Sequence, residues 1–315
     1  RSMCAWKLLE SGQPAAGKSQ SGQRNRNVAE RVKVFGVMIK FSHTVFALPF
    51  ALAAVILAQR EAAITPLLVG LIIIAFIGAR SAAMGFNRLV DAQIDARNPR
   101  TADRAIPTGL LTPNTTLLFV LVSCAVFIIA AGFISRLCLY LAVPVLFILF
   151  FYSYTKRFSA FSHLFLGFSI GLAPLGAWIA ITGSFSWGII LLSVALMTYI
   201  AGFDILYACQ DVESDWEQGL FSIPARMGIR PAMHISTLLH VLSFLFLLSL
   251  YLVFDMGPVY FIFVVIIGIL FIIEHRLIAP DDISRIDVAF FHVNSVVSIV
   301  LFLGILLDEV VRTVF

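Results

Sequence analysis

Charge is scarce in this sequence. Only 13% of its 315 residues are Asp, Glu, Lys or Arg, against 60% hydrophobic residues, and its mean hydropathy is +0.97. A water-soluble chain of this length would need far more charge on its surface. Paired cysteines are missing too. Cys4, Cys124, Cys138 and Cys209 form no CxxC, and two of them fall in apolar runs, so inert thiols are expected and no disulfide framework is implied. The six histidines lie apart, with no HExxH or other zinc spacing. No P-loop is present, nor a GxGxxG following a strand. The net charge of +4 does not indicate nucleic acid, because the basic residues sit in short loops between apolar runs, where orientation signals belong.

What is there is length without polarity. Apolar stretches of about twenty residues recur along the chain and match a hydrocarbon core about 30 Å thick. They are continuous rather than alternating, which argues against a β-barrel. The expected fold class is all-α: a polytopic membrane protein of about nine transmembrane helices. The spans are expected at 36–58, 65–88, 115–134, 138–155, 161–182, 186–206, 234–254, 258–274 and 286–306. Residues 1–27 read as a disordered tail, 28–315 as a single transmembrane domain, and Glu30 to Lys40 as an interfacial helix. Basic residues collect in the tail and every second loop, through Arg97, Arg100, Arg104, Lys156, Arg157, Arg226, Arg230, Arg276 and Arg285; the opposite loops offer little beyond Arg60 and Arg136. The N-terminus and both long polar loops, 91–114 and 209–233, are therefore expected on the cytoplasmic side. The glycosylation sequon at Asn114 falls on that side and carries no weight.

The scarce acids are patterned. Asn87, Asp91 and Asp95 are spaced i, i+4, i+8, which puts them on one helical face. Asp211 and Asp215 repeat the pair 120 residues later, each pair being followed by basic residues and then a Pro and a Gly. A duplicated four-helix unit would explain the echo, and coincidence is the alternative. Stacked carboxylates repel one another unless a hard cation lies between them. Mg²⁺ takes one or two carboxylates and leaves its other positions to phosphate and water. The competing reading is of helix-end acids at the interface, paired with nearby arginines. Arg80 lies two turns deeper on the same face, where an ionisable group costs about 2.5–3.5 kcal/mol or more. It should face an interior cavity, with Asp204 as its partner or as a group lining the same space. Arg88, Arg97, Arg100 and Arg104 surround the first motif, Lys156 and Arg157 end the fourth span, and Lys40 sits in the first. Such cations suit a diphosphate leaving group.

At these residues the sequence resembles the UbiA superfamily of intramembrane prenyltransferases. The matching stretches are Arg80 to Asp95, Arg100 to Gly109 and Asp204 to Asp215, with Gly219, Ser222 and Pro224 downstream, and the likeness runs from about residue 32 to 306. The resemblance implies helices around a central cavity capped by two cytoplasmic loops, in a bacterial cytoplasmic membrane. It implies Mg²⁺ bridging the acidic motifs through diphosphate, with Asn87, Asp91, Asp95, Asp211 and Asp215 as the metal–diphosphate set. Lys40, Arg88, Arg100, Arg104, Lys156 and Arg157 are then diphosphate contacts, Arg80 and Asp204 orient an aromatic acceptor, and Tyr207 and Asn294 join them as acceptor contacts. The stretches Ile39 to Phe50 and Phe290 to Asn294 resemble a bacterial subgroup labelled 4-hydroxybenzoate polyprenyltransferase-like, some of whose members are thought to prenylate a dihydroxynaphthoate in menaquinone synthesis.

The expected activity is transfer of a polyprenyl group from its diphosphate to an aromatic acid by ionisation and electrophilic substitution, with Arg80, Asp204, Asp91 and Asp211 as the catalytic groups. The partners are polyprenyl diphosphate, the acceptor and membrane lipid. A secondary transporter with an intramembrane Arg/Asp site is the rival class, although acids gathered at one membrane face favour an enzyme. A haem- or chlorophyll-type prenyltransferase of the same fold is the closer rival.

Overall fold

The computed structural model describes residues 34–286 and 288–314; the tail expected at 1–27 lies outside them. Twelve α-helices are named here in chain order: α1 (Leu48–Ala58), α2 (Pro66–Val90), α3 (Ala92–Arg97), α4 (Pro113–Ile134), α5 (Arg136–Thr155), α6 (Ser162–Thr182), α7 (Trp187–Ala208), α8 (Val212–Glu217), α9 (Ile223–Met227), α10 (Ile229–Val253), α11 (Pro258–Leu277) and α12 (Asn294–Val314). Among the described residues, eight helices are long and apolar enough to cross a membrane. They carry large exposed apolar side chains, such as Leu118, Leu121 and Phe133 on α4 and Phe147 on α5, as lipid-facing helices do.

The first expected span is shorter than its hydropathy suggests. Residues 34–38 are helical, but Lys40 takes a left-handed backbone (φ 46°, ψ 59°) and ends that turn. A 3₁₀ segment, Phe41–Phe46, follows before α1 begins. The last expected span also shifts. A π-helical turn, Val288–Val293, leads into α12, which continues past 306 to Val314.

The spans follow one another in a circuit. α2 packs on α4 and α5, α5 on α6, α6 on α1 and α7, α7 on α10, α10 on α11, α11 on α12, and α12 returns to α1. α6 approaches α7 closely because of two glycines. A Cβ at Gly167 would fall 2.3 Å from the Met197 carbonyl oxygen, and one at Gly171 would fall 2.8 Å from that of Ser193. Small residues four apart let two backbones touch in this way.

One end of the bundle is tied by charge. Arg60, just beyond α1, pairs with Glu309 of α12 and donates to the Phe254 carbonyl. Asp308 accepts from the backbone N–H groups of Gly257 (2.7 Å) and Tyr260 (3.0 Å), capping the start of α11 from another helix. Helix starts leave such donors without partners, and a carboxylate satisfies them. Cys124, Cys138 and Cys209 are all free thiols.

Candidate active site

The opposite end carries the acidic motifs. The first does not lie on one unbroken helix. α2 ends at Val90, and Asp91 forms the joint to α3 with φ −91° and ψ 4°. Helical bonding nonetheless runs through it, since Asp91 N–H donates to Asn87 O (2.9 Å) and Asp95 N–H to Asp91 O (2.8 Å). The second motif repeats the arrangement. α7 ends at Ala208, a 3₁₀ turn covers Cys209–Asp211, and Asp211 joins it to α8 with φ −106° and ψ 5°. Both leading aspartates thus sit in the sparsely populated bridge region, each at the start of a six-residue helix.

Every leading carboxylate is held by cations. Asp91 is buried; Lys156 Nζ lies 2.7 Å from Oδ2 and Arg157 Nη2 3.2 Å from Oδ1, while Asn87 donates to Oδ2 at 2.9 Å. Asp95 pairs with Arg104 at 2.6 Å. Asp211 takes both the Arg100 guanidinium and the Asn98 amide (2.8 Å), so the loop after α3 reaches across to the second motif. Asp215 lies near Ser222 and near Lys156, which also holds Asp91. The motifs from the two halves therefore meet at one end of the bundle, through basic side chains.

Two cavities meet at Lys40 and Arg80, a polar one at this end and an apolar one that runs from Arg80 down into the bundle. The polar one, about 510 Å³, is lined by Lys40, Arg88, Arg100 and Arg104 with Asp95, Asp103, Tyr207 and Gln210. Arg100 donates to the Tyr207 hydroxyl (2.8 Å) and stacks over its ring, and Lys40 Nζ lies 5.6 Å from the same ring. The apolar one, about 200 Å³, lies among α1, α2, α4, α5 and α6. Small residues such as Ala79, Ala83, Ala142 and Ala177 make its room, and Arg80 is the one charged side chain among its described lining residues. Arg80 donates to Lys40 O and to Thr44 Oγ1, each at 3.0 Å, so Lys40 belongs to both spaces: its backbone anchors Arg80 and its ammonium faces the polar cavity.

Among the described residues, no three His, Cys, Asp or Glu side chains stand together as a ready-made metal cage. Mg²⁺ does not require one, since phosphate and water complete its shell. The donor set fits it: the acids and the Asn87 carbonyl offer hard oxygens, and Asp95 Oδ2 is buried with no hydrogen-bond partner.

The UbiA prenyltransferase family matches residues 47–296, most of the chain. This chain belongs to that family. It is similar to the 4-hydroxybenzoate octaprenyltransferase of Nitrosomonas europaea, 30% identical over 254 residues, which are 79% of this chain and 84% of the relative. The protoheme IX farnesyltransferase of Tropheryma whipplei is 27% identical over 304 residues, 92% of this chain and 98% of the relative. Among solved structures, the apo UbiA homolog from Aeropyrum pernix K1 superposes with a TM-score of 0.77 at 28% identity, over 84% of this chain and 98% of that one. The UbiA homolog from Archaeoglobus fulgidus bound to GPP and Mg²⁺ shares the fold, with a TM-score of 0.63 at 17% identity over 86% and 99% of the two chains. The protein is a membrane-embedded prenyltransferase of the UbiA family, which displaces the transporter reading.

In this UbiA-family chain the structure gathers Lys40, Arg88, Arg100, Arg104, Asp95, Asp211 and Tyr207 around the polar cavity or its rim. Arg88 turns its guanidinium to Met38 O (3.3 Å) and Asn87 Oδ1 (3.2 Å). Arg80 and Asp204 are not joined to each other, and Asp204 is not among the described residues lining either cavity. Asp204 Oδ2 instead lies 2.7 Å from His163 Nδ1. Asn294 is buried away from both cavities, where it donates to Glu274 Oε1 (2.9 Å), and its carbonyl accepts from the Tyr199 hydroxyl (2.8 Å). Sequence reasoning passed over His163, Asn98, Thr44 and Tyr152. Tyr152 lines the apolar cavity close to Arg80 and Arg88. It stands in the aromatic run Phe150 to Tyr154, which looks like lipid-facing filler.

Proposed function

We propose that this UbiA-family enzyme transfers a polyprenyl group from polyprenyl diphosphate to an aromatic acid of the 4-hydroxybenzoate or dihydroxynaphthoate type, as in quinone biosynthesis, with its active site facing the cytoplasm of a bacterial membrane. One observation carries the reading: a cation-lined cavity of about 510 Å³ adjoins an apolar cavity that holds a lone guanidinium. The donor substrate is itself a diphosphate head on an apolar tail, and an aromatic carboxylate is the natural partner of Arg80.

Lys40, Arg88, Arg100, Arg104, Lys156 and Arg157 bind the diphosphate and stabilise the charge that gathers on it as the allylic C–O bond breaks. Mg²⁺ held by Asn87, Asp91, Asp95, Asp211 and Asp215 together with the diphosphate supplies Lewis-acid charge withdrawal when bound. The C–O electron pair leaves with the diphosphate. Arg80 orients the acceptor by its carboxylate, and Tyr207 borders the ring. A ring carbon gives a π pair to the allylic cation, the new C–C bond forms, and loss of the ring proton to Asp204 restores aromaticity. Positioning and fixed charge do the work, with no covalent enzyme intermediate. Asn294 contributes by fixing the helices around Tyr199 rather than by touching the acceptor.

A haem-type acceptor is the second reading, favoured by the Tropheryma whipplei relative. Purified protein incubated with Mg²⁺, labelled polyprenyl diphosphates and a panel of aromatic acids plus protohaem separates the two. Prenylated hydroxybenzoate or dihydroxynaphthoate is expected; product from protohaem alone overturns the acceptor assignment.

A further inference from the structure

We infer that His163 is a positioning residue for the transfer step, which takes its orientation from the cap over the second acidic motif and passes it to Asp204. The inference rests on the reading of Asp204 as the acceptor-side carboxylate.

His163 lies in the first turn of α6 and is buried, at 4% exposure. Both its ring nitrogens are engaged. Nδ1 lies 2.7 Å from Asp204 Oδ2 on α7. Nε2 receives the backbone N–H of Ile223, the first residue of α9, at 3.4 Å. A backbone N–H can only donate, so Nε2 must be the accepting nitrogen, and the proton of the neutral ring sits on Nδ1 and is donated to Asp204. The cap thereby selects the tautomer that Asp204 needs.

The other side of that cap reaches the diphosphate end. Ser222, the residue before Ile223, caps α9 through its hydroxyl oxygen and lies beside Asp215. Phe221 N–H donates to the carbonyl of Lys156 at 2.7 Å, and the Lys156 ammonium holds Asp91. Of three consecutive residues, Phe221 and Ile223 bond to Lys156 and His163, and Ser222 between them lies beside Asp215. His163 links this segment to the bundle beside the Ser162 hydroxyl, which donates to Phe221 O (3.4 Å), and Asp204 is the next contact of His163. The orientation of the acceptor-side carboxylate is thus set by the same short segment that borders the second metal motif.

Two substitutions separate this role from packing. The Asn amide nitrogen falls near the place of Nδ1 and can donate to Asp204, but it is too short to reach Ile223. The Gln terminal group reaches the place of Nε2 and can accept from Ile223, but offers Asp204 nothing. Gln is nearer to His in volume, so a purely structural role predicts that Gln is tolerated better than Asn. Positioning predicts the reverse. His163→Asn should keep kcat within about tenfold of the native enzyme, while His163→Gln loses about 100-fold, the range of a misplaced proton acceptor. KM for the polyprenyl diphosphate should stay within about twofold in both, since the lost contact acts on the acceptor side. Melting midpoints in detergent show whether either variant is unfolded. His163→Gln matching or exceeding His163→Asn in kcat, or a loss confined to the KM of the diphosphate, overturns the inference while native turnover stands. Absence of prenylated product from the native enzyme overturns the parent reading of Asp204 and this inference with it.

Discussion

Asp91 is buried and held by two basic groups, so its charge is matched before any substrate arrives. Asp91→Asn keeps the shape and removes the charge. Transfer should fall about 10²–10³-fold, measured as labelled product per mole of enzyme, while the protein still purifies as a folded species; native-like turnover would contradict the metal–diphosphate role. Lys40 permits a finer test, because its left-handed backbone suits glycine. Lys40→Gly should leave the carbonyl that anchors Arg80 in place while deleting the ammonium, raising KM for the diphosphate substrate about tenfold with little loss of stability. The paired DxxxD spacings were legible because period and scarcity both mark them in the bare sequence. The partner of Asp204 was not. Arg80 was expected on grounds of depth, yet His163 answers instead, from a different span 41 residues away, and nothing in the chain near Asp204 encodes that meeting. Asn294 stands in a stretch that resembles a bacterial subgroup, but its side chain serves Glu274.

Elements explain why the boundaries moved. A hydropathy window sees an apolar run from 36 to 58 and cannot see a positive φ at Lys40, so hydropathy alone gives one helix there. It also stops at Asp308 and Glu309, since charges normally end a span. Here they are buried at 3% exposure, because α11 supplies unpaired N–H groups to one and Arg60 supplies a cation to the other. Asp308→Ala should destabilise the protein by about 1–2 kcal/mol, as loss of a helix cap does, seen as a lower melting midpoint, with turnover at room temperature preserved. Gly167→Val should behave differently. Its new side chain would collide with the Met197 carbonyl and separate α6 from α7. Overpacking of this kind costs about 1–3 kcal/mol or more. Because His163 and Asp204 ride on those two helices, activity should fall with stability, measured by transfer assay and thermal melt together.

Across the molecule, the all-helical membrane class was readable from composition alone, since no soluble arrangement can hide this much apolar surface. The topology is open to direct measurement. A cysteine placed at exposed Glu217, beside the second motif, should react with a membrane-impermeant maleimide only from the cytoplasmic side, and one at exposed Phe185, between α6 and α7, only from the other; the reverse pattern would invert the assigned orientation. The ties at the far end involve no group that a substrate would touch, whereas those around Asp91, Asp95 and Asp211 lie among the very cations and carboxylates a diphosphate would engage. Under the proposed function, durability and turnover are lodged at opposite poles. Reinforcing the Arg60–Glu309 pole should harden the enzyme against heat or detergent without dulling it, while stiffening the other pole should trade against the exchange of ion partners that the proposed transfer demands.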